Sequence, residues 1–455
     1  MIPSSPSQMR DWMYDPLFTT PEMAEVFSGP GLVRQMLRFE WALALALERN
    51  QVIPEGVAAA VHTIAEVDLD LEKIARKAVD AGNLAIPFVS SLTSRVAEQS
   101  ASLAEYVHYG ATSQDVLDTA MVLQAREGLT FLQHDLGEIC NTLVPLISNH
   151  RSTMLPGRTW LQQGPPVTLG LKLAGWLDAL QRHRDRLQEV RARCIVLQFG
   201  GAVGTLAALG DSGPAVSRDI ARIIELPEPS MPWHTHRDRV VELASTLGMI
   251  AGTLGKIARD VSLLMQTEIR EAFEPAGEGR GGSSTMPHKR NPVLCSIMLA
   301  AAMRAPGLVA TMLSSMVQEH ERGLGGWQAE WESLPELFRL TAGSVHSARQ
   351  LISDIVIDAD MMRGHLDTNG KIALSEAVSF ALAAKVGKRN AHSLLEQITH
   401  TAMERKVSLR EALIDSPGIR EQLSIEEVDE ALDAQKYLGS SEIYIANVLA
   451  KEEQG

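Results

Sequence analysis

The run from Gly279 to Pro292 gathers groups that could do chemistry on an anion. Gly279, Gly281 and Gly282 are conformationally permissive and expose backbone N–H groups, Ser283 and Ser284 add hydroxyls, and Pro287 and Pro292 stiffen the exit around Lys289 and Asn291. A loop of this kind can cradle negative charge on N–H donors and a cation together. An ordinary linker is Gly- and Ser-rich without this ordered mixture of Lys, Arg, Asn and two prolines. It is not a Walker A loop, because no Gly-Lys-Ser/Thr follows the glycines. Gly200-Gly201-Ala202-Val203-Gly204 likewise lacks the strand-turn-helix setting of a dinucleotide fingerprint, so no nucleotide cofactor is expected.

Three other places carry polar groups at telling spacings. Thr112 and Asp115, three apart, can form a capping box at a helix start and leave Ser113 and nearby N–H groups directed at an anion, or they can simply cap. His108, just upstream, could donate to a carboxylate or relay a proton, although a lone His is often a satisfied structural group. Gln318-Glu319-His320-Glu321-Arg322 followed by Trp331-Glu332-Ser333 reads, taken alone, as a solvated helix face carrying mixed charges. His234 and His236, two apart without a third ligand nearby, are weak evidence for a metal, and no metal is expected.

Long helices must position these groups. Leu243, Leu247, Ile250, Leu254, Ile257, Val261 and Leu264 alternate steps of four and three and keep one apolar stripe. Leu173, Leu177, Leu180, Leu187, Val190, Cys194 and Leu197 make a second stripe, and Leu132, Leu136, Ile139 and Leu143 repeat the spacing. Several helices should therefore pack side by side. The Gly- and Pro-rich breaks at Pro156-Gly157, Gly164-Pro165-Pro166, Gly200-Gly201, Pro227 to Pro232 and Glu274 to Gly282 read as loops between them. Shorter helical patterns and more charge at both ends suggest three segments, 1–113, 114–355 and 356–455, without repeats.

With 455 residues the chain exceeds one ordinary core, and its 45% hydrophobic but only 5% aromatic content, rich in Ala, Leu, Glu, Arg and Met, favours helix over sheet. A formal net charge of -14 argues against general attraction to nucleic acid or anionic membrane, while still permitting a local basic pocket. Cys140, Cys194 and Cys295 are few, scattered and odd in number, so reduced, buried thiols are expected rather than a disulfide framework. The start lacks a basic-then-apolar leader, and the apolar stretch 293–317 is interrupted by Arg304 and Pro306, so a cytoplasmic protein is expected.

The eleven residues Gly282 to Pro292 closely resemble the signature of the fumarase/aspartase superfamily. His108-Tyr109-Gly110-Ala111-Thr112-Ser113-Gln114-Asp115 and Gly157-Arg158-Thr159-Trp160-Leu161-Gln162 look like its first two active-site regions, and the stretch around Arg322 resembles the adenylosuccinate-lyase-like branch. Lyases of the superfamily that eliminate an amine or water generally carry His where this chain has Trp160. Trp cannot protonate a leaving group, and general-acid help is worth roughly 10²- to 10⁴-fold, so such eliminations are disfavoured. A carboxylate oxygen needs no such help, because its pKa lies near about 4.

The same blocks, with Trp233-His234, Arg237-Asp238-Arg239, Met265-Gln266-Thr267-Glu268 and Lys436-Tyr437-Leu438-Gly439, resemble the bacterial 3-carboxy-cis,cis-muconate cycloisomerase family. That resemblance implies intramolecular addition of a carboxylate to a carbon-carbon double bond, giving 4-carboxymuconolactone in protocatechuate catabolism, with no cofactor. It implies Ser283 as the residue exchanging the proton alpha to a carboxylate, with Lys289 and then His108 as rivals. The site of the small tricarboxylate would be lined by Thr112, Ser113, Arg158, Thr159, Trp160, Gln162, Ser284, Met286, Asn291, Arg322 and Glu332. The implied fold is all-α, three helical domains with a central long-helix bundle forming a homotetramer whose active sites are shared between subunits. Remaining alternatives are an adenylosuccinate- or argininosuccinate-type lyase, a 3-sulfomuconate cycloisomerase, and a catalytically silent helical scaffold.

Overall fold

The computed structural model describes residues 13–275, 277, 281, 282, 286 and 289–454, with only the backbone of 368–370, 453 and 454. Its principal elements are α1 (Gly29–Arg49), α2 (Ser113–Asn149), β1 (Met154–Thr159), β2 (Gln162–Thr168), α3 (Leu169–Cys194), α4 (Asp238–Leu264), β3 (Ala272–Phe273), α5 (Val293–Ser314), α6 (Gly326–Ser353), β4 (Val356–Ile357) and α7 (Ala359–Asp367), with shorter helices beyond. The architecture is all-α apart from two small antiparallel pairs, β1 with β2 and β3 with β4. Two compact units are present. The first holds residues up to Leu136, His183–Lys256 and Ser296–Ala348; the second holds Gly137–Arg182, Ile257–Cys295 and the chain from Arg349 onward. The unit boundaries fall inside α2 to α6.

In the first unit α1 starts where the Ser28 side chain accepts the Gly31 N–H at 3.0 Å, with Pro30 in the first turn, and its apolar face buries Phe39, Leu43 and Leu47. Leu187 and Val190 of α3 and Leu243, Leu247, Ile250 and Leu254 of α4 are buried in the same unit. Each such side chain contributes about 2 kcal/mol through burial. Helices α4 and α5 approach closely here, for a Cβ on Gly248 would meet Val309 Cγ2 at 2.7 Å.

In the second unit Ile139 and Leu143 of α2, Leu173, Leu177 and Leu180 of α3, and Ile257, Val261 and Leu264 of α4 complete the three stripes read from the sequence, all buried. Leu197 lies past the end of α3 but is buried as well. The C-terminal helices have their own cluster around Val378, Leu382, Leu395, Leu409, Leu413 and Ile419.

Two local expectations change. Pro156-Gly157 and Gly164-Pro165-Pro166 are not loops but the strands of a hairpin, with Pro156 opposite Pro166, Thr159 opposite Gln162, and an irregularity between Pro156 and Arg158. Both strands of a two-stranded ribbon are edges, so prolines cost no ladder bond on their outer sides. The apolar stretch near 304 is not broken either: α5 runs through Arg304 and Pro306, as α2 runs through Pro145 and α6 through Pro335. A proline removes one N–H from the ladder, and a 22-residue helix packed on its neighbours tolerates that loss. Cys140, Cys194 and Cys295 are buried and outside any disulfide, as expected.

Candidate active site

In the first unit the start of α2 is built around Asp115. Its carboxylate accepts the Thr112 N–H at 3.1 Å, closing half of the expected capping box. It also accepts the N–H groups of Gly200 at 3.0 Å and Gly201 at 2.9 Å and the Gln198 side chain at 3.3 Å, and it meets His234 Nε2 at 2.8 Å. The glycine-rich 200–204 segment thus cradles an anion supplied by the protein itself. His234 is engaged by this carboxylate.

One turn on, Gln114 and Asp118 connect the helix start to a buried charge cluster. Arg237 donates to Asp118 Oδ2 at 2.6 Å and Glu330 Oε2 at 2.5 Å, and Trp327 donates its indole N–H to Asp118 Oδ1 at 2.9 Å. Burial works against the Arg237 charge, but Asp118 and Glu330 outweigh it and raise its pKa above the ordinary guanidinium value. Two carboxylates share one guanidinium, and burial pushes Glu330 above the usual carboxylate range. Gln114 donates to Asp118 at 3.0 Å and to the His234 carbonyl at 2.8 Å, while its own carbonyl accepts from Arg322 at 3.1 Å. Arg322 also donates to the Ala202 carbonyl at 2.8 Å. Arg322 is therefore held from both sides, by the Gln114 side chain and the Ala202 carbonyl. Glu332 lies exposed on α6.

His108 has a left-handed backbone, φ 60°, and its Nδ1 lies 2.5 Å from Oε1 of Glu40 on α1. Burial disfavours the imidazolium, yet the Glu40 charge, with Asp115 adding to it, holds the His108 pKa above the usual imidazole value.

In the second unit the hairpin places Arg158 fork to fork with Glu271, Nη1 to Oε2 at 2.8 Å and Nη2 to Oε1 at 2.6 Å. His365 Nδ1 of α7 reaches Glu271 Oε1 at 2.7 Å. The hairpin tip consists of Trp160 (φ 52°) and Leu161 (φ 66°), 97% and 79% exposed. Positive φ at both central residues matches a type I′ turn, which normally selects Asn-Gly, so two bulky residues here store strain. Thr159 and Gln162 pair beneath the tip.

Ser283 and Ser284 lie outside the described residues. Beyond them, Met286 and Lys289 are exposed, the Asn291 N–H donates to the Gly281 carbonyl at 2.8 Å, and Gly281 has φ 64° with Asn291 O only 2.7 Å from where its Cβ would stand, so glycine is required there. The loop's exit is fastened by Glu274, whose buried carboxylate accepts the Leu294 and Cys295 N–H groups at 3.0 and 2.7 Å and so caps α5. Arg290 donates to the Glu274 carbonyl at 2.7 Å and lies over the Phe273 ring.

The structure thus groups His108, Thr112, Ser113 and Arg322 in the first unit, and Arg158, Thr159, Trp160, Gln162, Met286, Lys289 and Asn291 in the second. Reading the sequence missed Glu40, Asp118, Glu271, Glu274, Glu330 and His365, all joined to partners far along the chain. Arg237 and Gln114 sat in recognised motifs, which was their signal, but had no assigned role.

The chain matches the family model described as Lyase over residues 18–307 and the one described as Adenylosuccinate lyase C-terminus over residues 372–448. It is 49% identical over 440 residues to the 3-carboxy-cis,cis-muconate cycloisomerase of Pseudomonas aeruginosa, covering 96% of each chain. It is similar to the crystal structure of 3-carboxy-cis,cis-muconate lactonizing enzyme from Pseudomonas putida, with TM-score 0.91, 45% identity, and coverage of 97% of this chain and 99% of that one. For beta-carboxy-cis,cis-muconate cycloisomerase from Acinetobacter calcoaceticus the TM-score is 0.90 at 40% identity, covering 96% and 100%. These likenesses cover nearly the whole chain, and the chain accordingly belongs to the lyase family of the fumarase/aspartase superfamily.

Proposed function

We propose that the chain is a cycloisomerase that converts 3-carboxy-cis,cis-muconate to 4-carboxymuconolactone, a step of protocatechuate catabolism. One substrate carboxylate oxygen adds to a carbon-carbon double bond, and the electron pair moves to the carbon alpha to a second carboxylate, where a proton is added. The trianion takes up one proton and leaves as a dianionic lactone. The single observation that carries this reading is Trp160. The tip of the hairpin offers an indole where an amine- or water-eliminating enzyme needs a proton donor, and a carboxylate requires none.

Ser283 serves as the proton-exchanging group, activated by Lys289 and backbone N–H donors. Lys289 is its rival for that role. Arg322, held by Gln114 and the Ala202 carbonyl, binds one carboxylate; Arg158, oriented by Glu271, and Asn291 serve the others, with Thr112, Ser113, Thr159, Gln162, Ser284, Met286 and Glu332 lining the remainder. The Glu271 partner leaves Arg158 less net charge than a solitary guanidinium, so Arg158 acts chiefly by geometry.

We further infer a cytoplasmic homotetramer with active sites shared between subunits, and a three-segment organisation at 1–113, 114–355 and 356–455. The three buried cysteines, outside any disulfide, fit that compartment. Support for assembly comes from α5, whose Met303, Ala310 and Leu313 form an uncovered apolar face in the single chain.

Mixing the protein with 3-carboxy-cis,cis-muconate and following the conjugated-diene absorbance tests the reading, with adenylosuccinate and 3-sulfomuconate in parallel. Rapid loss of the diene is expected. No loss, or turnover of adenylosuccinate instead, would overturn it.

A further inference from the structure

Glu40 sits on α1 with its side chain 1% exposed, and one of its oxygens, Oε2, is buried without a hydrogen-bond partner. The other accepts from His108 Nδ1 at 2.5 Å. A buried carboxylate with half its acceptor capacity unused is costly unless a cation touches it. Among the described residues the group in contact is His108, whose backbone is held in the left-handed region to place the ring there. A non-glycine residue adopts that conformation only where its surroundings enforce it.

The pairing fixes the proton inventory of the ring. Nδ1 must carry a hydrogen to donate to Glu40, so any exchange with a ligand falls to Nε2, which has no partner among the described residues. Charge neutrality inside the pair calls for a second proton on Nε2. The charged groups acting on His108 are Glu40 from α1 and Asp115 from α2, and Asp115 is itself in hydrogen-bond contact with His234 Nε2.

We propose that Glu40 is a positioning residue that holds His108 as an imidazolium, presenting Nε2–H as a fixed, charge-assisted donor to a carboxylate of the ligand. This rests on the reading that the ligand is a polycarboxylate. It moves His108 from the candidate proton-transfer groups to the binding groups. The Nε2–H of that imidazolium is a charge-assisted donor, while Glu40 neutralises the ring's charge from behind.

The test uses the whole protein and tricarballylate, a stable saturated tricarboxylate. Nitrogen-detected NMR of the histidine rings should show His108 of the wild type protonated on both nitrogens near about pH 7. In Glu40→Gln the second proton should leave at least about one pH unit lower. Tricarballylate binding to Glu40→Gln should weaken about tenfold at about pH 8 and recover at about pH 6, where an isolated imidazole is protonated anyway. With substrate, the loss should appear in KM more than in kcat, and Glu40→Gln should add nothing in a His108→Asn background.

Wild-type His108 found neutral at pH 7, or tricarballylate binding unchanged by Glu40→Gln at both pH values, would overturn the proposal. If Glu40→Gln does not fold, the wild-type titration decides alone and Glu40→Asp supplies the binding comparison. Absence of diene loss together with the expected His108 titration and tricarballylate binding would remove the cycloisomerase reading and leave the dyad standing.

Discussion

Arg158 and Glu271 meet as a planar, two-bond pair although 113 residues separate them, and the same carboxylate also receives His365. Glu271 is fully buried and Arg158 about one-fifth exposed. Glu271→Ala strands a guanidinium and an imidazole beside an empty site. A loss of about 2 to 4 kcal/mol in urea unfolding is expected, somewhat under the figure for a fully buried pair. A loss below about 0.5 kcal/mol would mean that the pair is only a surface contact.

Arg237 carries a heavier demand, since both Asp118 and Glu330 form ion pairs with it, and all three are buried. Arg237→Met should cost about 3 to 5 kcal/mol. Gln114 and Trp327, which bond to Asp118, should lose their order with it, so Arg322 should bind tricarballylate more weakly even under conditions where the variant stays folded. Wild-type stability in Arg237→Met would refute the cluster's role.

The strained tip of the hairpin should respond in the opposite direction. Leu161→Gly replaces a bulky residue at φ 66° with one that accepts positive φ freely, and a gain of about 0.5 to 1 kcal/mol is expected. Thermal melting measures it. A lower midpoint would show that Leu161 makes contacts that outweigh its backbone cost, which in an assembled protein would point to a neighbouring subunit.

Ser283→Ala should reduce diene consumption by at least about 10²-fold while tricarballylate binding stays near normal. Near-normal turnover would transfer the proton to Lys289. Arg322→Lys keeps the charge but loses the planar fork, so KM should rise more than kcat falls.

The His108–Glu40 pair also makes stability depend on pH. The folded-state pKa of His108 is raised above its unfolded value, so its contribution is fully present below the unfolded pKa and is lost as pH rises through the folded one. Wild-type melting temperature should therefore fall further than that of His108→Gln between about pH 6.5 and pH 9. Parallel curves would count against the pair.

The long apolar stripes were legible because a period of 3.6 repeats over many turns, and Leu243 to Leu264 needed no information from elsewhere in the chain. The helix start near Thr112 was equally local. The hairpin was not, because its strands hold Pro156, Pro165 and Pro166, residues that ordinarily argue against sheet; only the pairing itself licenses them. Of the candidate site, Arg322 and Arg158 were visible by motif, but the residues that aim them were not. Glu271 lies 113 positions from Arg158, Glu40 68 from His108, and Arg237 119 from Asp118, and no local spacing encodes such contacts.

The burial of the thiols gives the molecule a built-in stopwatch. Cys194 belongs to the first unit and Cys140 and Cys295 to the second, and burial pushes the Cys194 and Cys295 thiols above their usual range. A thiol reagent can reach them only when their surroundings open. Labelling at Cys194 and at Cys295 would thus time the opening of each unit separately, within one chain that needs no engineered cysteine.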